Sequence, residues 1–405
     1  MPSHRVPAEF TPNRFTRLLE EKRRSGRCVL DLTRTNPTQM GLGPADGGVL
    51  ESLADRRALA YEPDPRGLTA ARQAVARYLA GRGAAGAAGA AEAARSERIY
   101  LTASTSEAYA HLFRLFCDTG DEVLVPRPSY PLIEPLALLE DVHVHAYRLA
   151  YDGRGWRLDV ESLEAAITPR TRAIVVVQPN NPTGSCLDAS ETARLEAVCR
   201  ERRLALIADE VFGDFPHDPG FASLPSLLGD RSVPTFVLGG LSKCCGLPQL
   251  KLGWIAACGP EEELARFLPG LEWILDLFLS VGAPVMWAAE RLLDTRGPFQ
   301  AAARARIAAN LGALGDAAAR GGAIEPYRAE GGWSAIARLG DVPDGPAPRE
   351  DVAEWALRRH DVSLHPAHFY DLGRDDLLVL SLLTEPDVLR EALARMAGCP
   401  EGGTA

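Results

Sequence analysis

Short hydrophobic runs recur along the chain and alternate with amphipathic stretches. In one such stretch, ETARLEAVCRERR, the side chains of Leu195, Val198 and Cys199 follow an i, i+3, i+4 spacing, which predicts a helix. Asp188 stands three residues before Glu191, the spacing of a capping box at a helix start. The hydrophobic runs resemble strands buried on both faces and lie at 29–33, 98–102, 122–126, 173–177, 205–209, 235–241 and 252–258. Strands that alternate with helices indicate an α/β architecture with a largely parallel sheet.

The pattern changes after about residue 285, where long helices rich in Ala, Arg and Leu follow, then GGWSAIARL and a last predicted helix at 386–396. Because 405 residues exceed what one hydrophobic core usually supports, we expect two packed lobes. The predicted parts are an N-terminal segment at 1–50 that joins the small domain, a large domain at 51–285, a small C-terminal domain at 286–397, a flexible tail at 398–405 and a flexible Ala- and Gly-rich connection at 80–97.

Charge and composition argue against several classes of function. A formal net charge of -10 and a pI near 5.4 provide no basic field, so we expect neither a nucleic-acid partner nor a membrane partner. No apolar run reaches membrane-spanning length and the first residues do not resemble a secretory signal, which predicts a cytoplasmic protein. The eight cysteines lack CxxC spacing, so we expect reduced thiols and no metal site.

Lys243 follows the strand-like run TFVLGGLS and precedes CCGLPQLKLGW. Folds of the α/β class bind ligands at the carboxyl ends of their strands, and partial desolvation there lowers the pKa of an amine toward that of a usable nucleophile. Such a lysine suits a Schiff base with a carbonyl compound. A solvated lysine at a strand end is the alternative interpretation.

Polar or aromatic residues also follow other predicted strands. Asp209 ends the run ALIAD, where its carboxylate could pair with a protonated pyridine nitrogen or only cap a turn. Asn181 lies in VVVQPNNPTG, where its amide could donate to a phenolate oxygen or only form an Asn-Pro turn. Tyr130 in PRPSYP could stack on a flat heterocycle or belong to the core.

A phosphate-binding arrangement is predicted before the helical stretch EAYAHLFRLF. Hydroxyl and backbone N–H groups of Ser104, Thr105 and Ser106 precede it, and the N-terminus of a helix attracts anions. Lys251, eight residues after Lys243, offers a cation to the same phosphate. The alternative is a helix N-cap with no ligand.

Together these segments resemble the fold type I enzymes that depend on pyridoxal 5'-phosphate (PLP), in particular the class I and II aminotransferases. Similarity extends over nearly the whole chain, and the ordered set is far more specific than NPTG or SK alone. The matching segments are YEPDPRGLTAAR at 61–72, LTASTSEAY and DEVLVPRPSYP between 101 and 131, PNNPTG at 179–184, DEVF at 209–212 and SKCCGLPQLKLGW at 242–254.

The resemblance implies a large domain with a mostly parallel seven-stranded sheet sandwiched by helices, and a smaller α/β C-terminal domain. It implies PLP as the cofactor, bound to Lys243 as an aldimine. Asp209 would then partner the pyridine nitrogen, Asn181 would contact the phenolate oxygen, and the ring would stack on Tyr130.

The resemblance also implies how the phosphate is held. Ser104, Thr105, Ser106 and Lys251 would bind it within one subunit. Tyr61 would reach the phosphate bound in a neighbouring subunit, which implies a homodimer with shared active sites.

Three positions depart from the family pattern. Lys251 stands where the family usually has Arg, so it keeps the charge without the bidentate fork. Phe212 replaces the usual Tyr in DEVF and cannot donate a hydroxyl to the cofactor. Val379 in LVLS occupies the position of the arginine that binds the substrate carboxylate, so the usual clamp is missing. Two other arginines are candidates to bind the substrate carboxylate: Arg34, beside Thr35 in DLTRTNPT, and Arg374 in DLGRDD. The alternative is that each is an ordinary surface or structural residue, because arginines are mostly exposed.

We interpret the sequence as a PLP-dependent aminotransferase that moves an amino group between a small-molecule amino donor and a keto or aldehyde acceptor, with Lys243 as general base and acid. The alternative is a PLP enzyme of the same fold with other chemistry, such as a decarboxylase, a β/γ-lyase or a C–C bond-forming synthase, because fold does not fix reaction. Val379 strengthens that alternative. A non-enzymatic regulator is a third interpretation, but no basic helix-turn-helix segment precedes the fold.

Overall fold

The protein is described here from a computed structural model. The predicted tail at 398–405 and residues 84–93 of the Ala- and Gly-rich connection lie outside the described residues. No described helix is long and apolar enough to cross a lipid bilayer. The residues that the structure describes are 3–7, 10–43, 48–83, 94–221, 223–320, 324–340, 345–346 and 350–397.

Helices account for much of the described chain. The helix predicted from the apolar stripe of Leu195 is confirmed as α7, and Asp188 and Glu191 form its capping box. The predicted last helix is confirmed as α13. The helices are α1 (Arg14–Arg24), α2 (Gly48–Ser52), α3 (Thr69–Gly83), α4 (Thr105–Phe116), α5 (Ile133–Leu139), α6 (Val160–Ala166), α7 (Ala189–Arg202), α8 (Leu241–Cys244), α9 (Glu261–Asp276), α10 (Ala283–Asp294), α11 (Arg296–Ala319), α12 (Val352–His360) and α13 (Pro386–Met396).

The strands form one large sheet, one small sheet and one isolated pair. They are β1 (Leu30–Asp31), β2 (Ile99–Thr102), β3 (Glu122–Arg127), β4 (His143–Tyr151), β5 (Trp156–Leu158), β6 (Thr171–Val177), β7 (Ala205–Asp209), β8 (Thr235–Gly240), β9 (Gly253–Cys258), β10 (Ile324–Pro326), β11 (Ser334–Leu339), β12 (Val362–Ser363), β13 (His365–Pro366) and β14 (Leu377–Ser381).

The large sheet has the strand order β2-β9-β8-β7-β6-β3-β4-β5. Neighbours from β8 to β4 pair in parallel, whereas β9 and β5 run against the rest. The predicted count of seven strands is therefore wrong, because the sheet has eight. The chain turns back after the long strand β4, and Leu158 of β5 pairs antiparallel with Leu149. The mostly parallel character of the sheet is confirmed.

Both faces of the large sheet are buried, which explains why its central strands read as continuous hydrophobic runs. Along β6, Ile174 and Val176 belong to one apolar cluster, while Ala173 and Val175 belong to the cluster on the opposite face. Helix α4 lies in the second of these clusters through Tyr109 and other buried residues. Helices on both faces therefore hold the sheet, and its strand ends stay free to carry polar groups.

The small domain contains the sheet β10-β11-β14-β13 and the long helix α11. The run predicted as a strand at 29–33 forms only the short strand β1, which lies outside the large sheet. Its Leu30 pairs in parallel with Val362 of β12. A third apolar cluster joins this N-terminal strand to α11, α12 and β14. The N-terminal segment thus packs on the small domain. The residue numbers at which the domains were predicted to begin and end remain predictions.

Candidate active site

A cavity of about 330 Å³ opens where the carboxyl ends of the parallel strands meet the small domain. Parallel strands bring the residues that follow them to one edge of a sheet, which is the usual place for a ligand site in this class of fold. The sequence-predicted residues that line the cavity are Thr35, Ser104, Thr105, Ser106, Tyr130, Asn181, Asp209, Phe212, Lys243 and Lys251.

Lys243 lies in the short helix α8, directly after β8. Its Nζ lies 5.1 Å from the ring centroid of Trp333 and 5.5 Å from that of Phe212. Burial lowers the pKa of the amine, and the nearby Asp209 carboxylate partly opposes that shift. An amine with a lowered pKa is unprotonated more of the time, so Lys243 is suited to attack a carbonyl carbon and to carry protons.

Asp209 ends β7 and points its carboxylate into the cavity. Oδ1 accepts a hydrogen bond from the backbone N–H of Val211 at 3.1 Å, and Oδ2 accepts one from the hydroxyl of Tyr109 at 3.1 Å. Burial raises the pKa of Asp209 to about 6, although both hydrogen bonds and Lys243 act in the opposite direction. A cationic ring nitrogen placed in the cavity would favour the charged carboxylate.

Asn181 lies in the turn after β6 and bridges the two domains. Its Oδ1 accepts a hydrogen bond from the hydroxyl of Ser334 at 3.0 Å, at the start of β11. No described residue accepts a hydrogen bond from its Nδ2, so that amide remains available as a donor to a ligand in the cavity.

The start of helix α4 forms the end of the cavity next to β9. Ser104 is the N-cap residue, and its Oγ accepts from the backbone N–H of Glu107 at 3.2 Å. A Cβ at Gly253 would lie 3.0 Å from the carbonyl carbon of Ser104, so a glycine lets β9 approach this turn. Lys251 adds a positive charge nearby from an exposed position with φ of 52°. A helix N-terminus beside a cation is suited to bind a phosphate.

Aromatic side chains line the remaining walls. Tyr130 is 49% exposed, and its ring centroid lies 6.4 Å from that of Tyr370. Phe212 and Trp333 meet edge to face at 5.3 Å, close to Lys243. A flat ring could enter beside Tyr130 without displacing core residues, because nearly half of that side chain is accessible.

Four predicted residues lie outside the cavity lining. Val379 is fully buried in β14, where it pairs with Ile336 on one side and His365 on the other. Arg374 is exposed and donates two hydrogen bonds to Asp376, at 2.8 and 2.5 Å, which occupy its guanidinium.

The other two are Arg34 and Tyr61. Arg34 is exposed beside the cavity residue Thr35, and no described residue pairs with it. Tyr61 is 81% exposed and lines a separate groove together with Trp287.

The sequence interpretation missed Tyr109, Trp333 and Ser334, which also line the cavity. Tyr109 stands four residues after Thr105, and this i, i+4 spacing on a helix could have placed it on the same face. The sequence assigns the segment GGWSAIARL, which contains Trp333 and Ser334, to the second lobe, but no local signal indicates that it faces Lys243.

Comparison with known proteins gives the family. The sequence profile described as "Aminotransferase class I and II" matches residues 42–316. An alanine aminotransferase of Mycobacterium tuberculosis is 29% identical over 370 residues, which are 90% of this chain and 77% of that protein. Glutamate-pyruvate aminotransferase AlaA of Escherichia coli is 29% identical over 276 residues, 68% of this chain and 65% of that protein.

Solved structures agree in fold. An alanine aminotransferase from Pyrococcus furiosus superposes with a TM-score of 0.82 at 22% identity, covering 98% of this chain and 99% of that one. A double mutant of Thermus thermophilus aspartate aminotransferase gives a TM-score of 0.78 at 24% identity, covering 99% and 100%. These likenesses confirm the fold type I architecture. With the profile match over residues 42–316, they lead to one conclusion: the chain belongs to the class I and II aminotransferase family.

Proposed function

We propose that this aminotransferase binds PLP at Lys243 and uses it to move an amino group from an amino donor to a keto or aldehyde acceptor. The observation that carries the proposal is that the Lys243 amine and the buried Asp209 carboxylate face the same cavity of about 330 Å³. When bound, PLP supplies a protonated pyridine ring that accepts the electron pair left when a substrate carbon loses its proton.

The cavity offers a partner of the right chemical kind for each polar part of PLP. We assign the aldehyde carbon to Lys243, the pyridine nitrogen to Asp209, the phenolate oxygen to the amide of Asn181, the ring face to Tyr130, and the phosphate to Ser104, Thr105, Ser106 and Lys251. The free Nδ2 of Asn181 supports this assignment, because a polar donor facing a cavity needs an acceptor there.

Lys243 has a second role in the proposal, as the group that moves the substrate proton. Its lowered pKa leaves the amine unprotonated more of the time, so it can accept a proton and return it at another atom. Phe212 and Trp333 beside Nζ exclude water from that transfer. Phe212 supplies no hydroxyl, so Asn181 is the side chain that we assign as hydrogen-bond donor to the cofactor's phenolate oxygen.

For the substrates, the names of the relatives point to alanine, glutamate and pyruvate as the first compounds to test. The carboxylate of such a substrate needs a cation from another position, because Val379 is uncharged and buried. Arg34 is the residue that we assign to it, because it adjoins Thr35 at the cavity and no described residue pairs with it. Arg374 is less suited, since Asp376 already occupies its guanidinium.

We also propose a homodimer in which Tyr61 contacts the site of the partner subunit. Tyr61 and Leu59 are each 81% exposed, and Phe278 is 49% exposed. Leu59 and Phe278 flank in sequence the groove residues Ala60 and Leu279. Apolar side chains grouped around one groove are typical of a surface that another protein chain covers.

Transamination is tested most simply as two half-reactions. Purified protein loaded with PLP is mixed with alanine or glutamate alone, and the keto acid is measured by chromatography. We expect about one keto acid per PLP, with the amino group retained on the cofactor, and its return to an amino acid when pyruvate or another keto acid is added. Release of carbon dioxide or free ammonia in its place would overturn the proposal in favour of a decarboxylase or lyase.

A further inference from the structure

Tyr109 lies inside the cavity, although the family resemblance assigns it no role. It sits in the second turn of α4, is only 2% exposed, and donates its hydroxyl to Oδ2 of Asp209 at 3.1 Å. The other oxygen of Asp209 accepts from the backbone N–H of Val211 at 3.1 Å. Each carboxylate oxygen therefore has one fixed donor, one from α4 and one from the turn after β7.

We infer that Tyr109 is a positioning residue, whose hydroxyl fixes the Asp209 carboxylate toward the cavity and stabilises its charged form. The inference rests on the proposed function, because Asp209 affects catalysis only if it faces the pyridine nitrogen of PLP. Two donors on separate oxygens restrict rotation of the carboxylate about its last bond. The lone pairs that remain are directed to the ligand.

The electrostatics of the site support this role. Burial raises the pKa of Asp209, and the hydrogen bonds from Val211 and Tyr109 lower it. Of the charged groups that face Asp209, Lys243 also lowers its pKa and Glu210 raises it. The pKa of Tyr109 itself lies well above its ordinary value, because it is buried beside a carboxylate and near Tyr147. Tyr109 therefore stays protonated and acts only as a donor to Asp209.

Ordinary core packing is the alternative role for Tyr109. Its ring lies in the apolar cluster under the sheet, with its centroid 5.9 Å from that of Phe113. Tyr109→Phe keeps the ring and removes only the hydroxyl, so it separates the two roles.

Tyr147→Phe is a matched control. Tyr147 is 3% exposed, and its hydroxyl donates to the backbone oxygen of Val175 at 2.8 Å, away from Asp209. Both substitutions delete one buried hydroxyl from the large domain, but only Tyr109→Phe removes a hydrogen bond to the Asp209 carboxylate.

The experiment measures the dissociation constant of PLP for the full-length protein at a series of pH values. Binding is detected by the quenching of tryptophan fluorescence. Losing a donor to a charged group should raise the pKa of Asp209, so the acidic fall in PLP affinity should begin about one pH unit higher in Tyr109→Phe. At about pH 5, below both titrations, this amounts to roughly tenfold weaker binding. Tyr147→Phe should keep the wild-type profile. In an Asp209→Asn background, Tyr109→Phe should cause no further shift, because the titrating carboxylate is gone.

A second measurement does not depend on PLP. In protein labelled with ¹³C-carboxyl aspartate, the signal that disappears in Asp209→Asn should titrate at higher pH in Tyr109→Phe than in wild type. The inference is overturned if Tyr109→Phe matches Tyr147→Phe in both the PLP profile and this titration. A wild-type protein that takes up no PLP would instead overturn the proposed function, and the titration would still decide whether Tyr109 controls Asp209.

Discussion

Asp209 destabilises the folded chain when its buried carboxylate is charged. Burial raises its pKa to about 6, above the ordinary value of an aspartate near 4. A carboxyl group with a raised pKa binds protons more tightly in the folded than in the unfolded state, so stability falls as pH rises through this window. In the absence of PLP, we expect Asp209→Asn to exceed wild type in free energy of unfolding by about 3 kcal/mol at pH 8.

Urea unfolding at several pH values measures that difference. The gain should shrink as pH falls through about 6 and nearly vanish by about pH 3, where Asp209 is largely protonated in both the folded and the unfolded wild-type chain. A difference that stays constant with pH would mean that packing, and not charge, distinguishes the two proteins.

Arg34 is assigned to the substrate carboxylate, and this assignment is tested by substitution. Arg34→Ala should raise KM for alanine or glutamate by roughly tenfold or more, while an amine without a carboxylate should be unaffected. Arg374→Ala is the matched control, because Arg374 is also exposed but is paired with Asp376. Steady-state kinetics decide between them, and equal loss in the two variants would contradict the assignment.

The sequence allowed cavity residues to be predicted where a chemically distinctive side chain lies at the end of a predicted strand. Lys243, Asp209 and Asn181 each lie at or just after the end of a strand within a short motif, so their meeting at one cavity could be predicted. Tyr109 and Trp333 could not be found in this way. Their approach to the cavity depends on how α4 is rotated against the sheet and on how the small domain docks, which no local pattern specifies.

At the scale of elements, the N-terminus of α4 is proposed to bind phosphate, and the N-terminus of α7 is not. Ser104 and Asp188 cap these two helices with similar hydrogen bonds. Ser104→Ala and Asp188→Ala should each lower the free energy of unfolding by about 1 kcal/mol. Only Ser104→Ala should also weaken PLP binding, because Ser104 lines the cavity and Asp188 does not. Equilibrium dialysis against PLP compares them, and equal affinities would argue against a phosphate at α4.

Two strands of the large sheet escaped prediction for a physical reason. Strand β4 lies near the edge of the sheet and exposes much of its His143–Tyr151 sequence, so it lacks the continuous hydrophobic run of the central strands. Strand β5 has only three residues, too few to show the alternation of apolar and polar side chains that predicts a strand. The central strands β6, β7 and β8 are buried on both faces, and their predicted positions agree with the structure to within two residues.

At the scale of the whole molecule, the exposed apolar groove beside Tyr61 predicts a dimer. Sedimentation velocity should give the mass of two chains for the wild type. Leu59→Glu should shift the protein toward monomers, because it places a charge where Leu59 is 81% exposed in a single chain. Phe221→Glu, at a 56% exposed residue outside the groove, is the control and should remain dimeric. A monomeric wild type, or dissociation in the control alone, would contradict the proposed interface.

The domain arrangement matters for the same site. The cavity is built mainly from strand ends of the large domain, but Thr35, Trp333 and Ser334 reach it from the N-terminal segment and the small sheet. The hydrogen bond between Ser334 and Asn181 joins the two parts directly at the cavity. A change at Ser334 in the small domain would therefore also affect Asn181, one of the residues that we assign to PLP.

The most direct test concerns the lysine that holds PLP. The chain contains only three lysines: Lys22 pairs with Asp361 at 2.6 Å, whereas Lys243 and Lys251 line the cavity. Borohydride reduction of the PLP-loaded protein, followed by peptide mass mapping, locates the attachment unambiguously. We predict the pyridoxyl mass on Lys243 and its loss in Lys243→Ala, with Lys251→Ala still labelled. A label on Lys251 or Lys22, or no label on any of the three, would contradict the assignment of the active site.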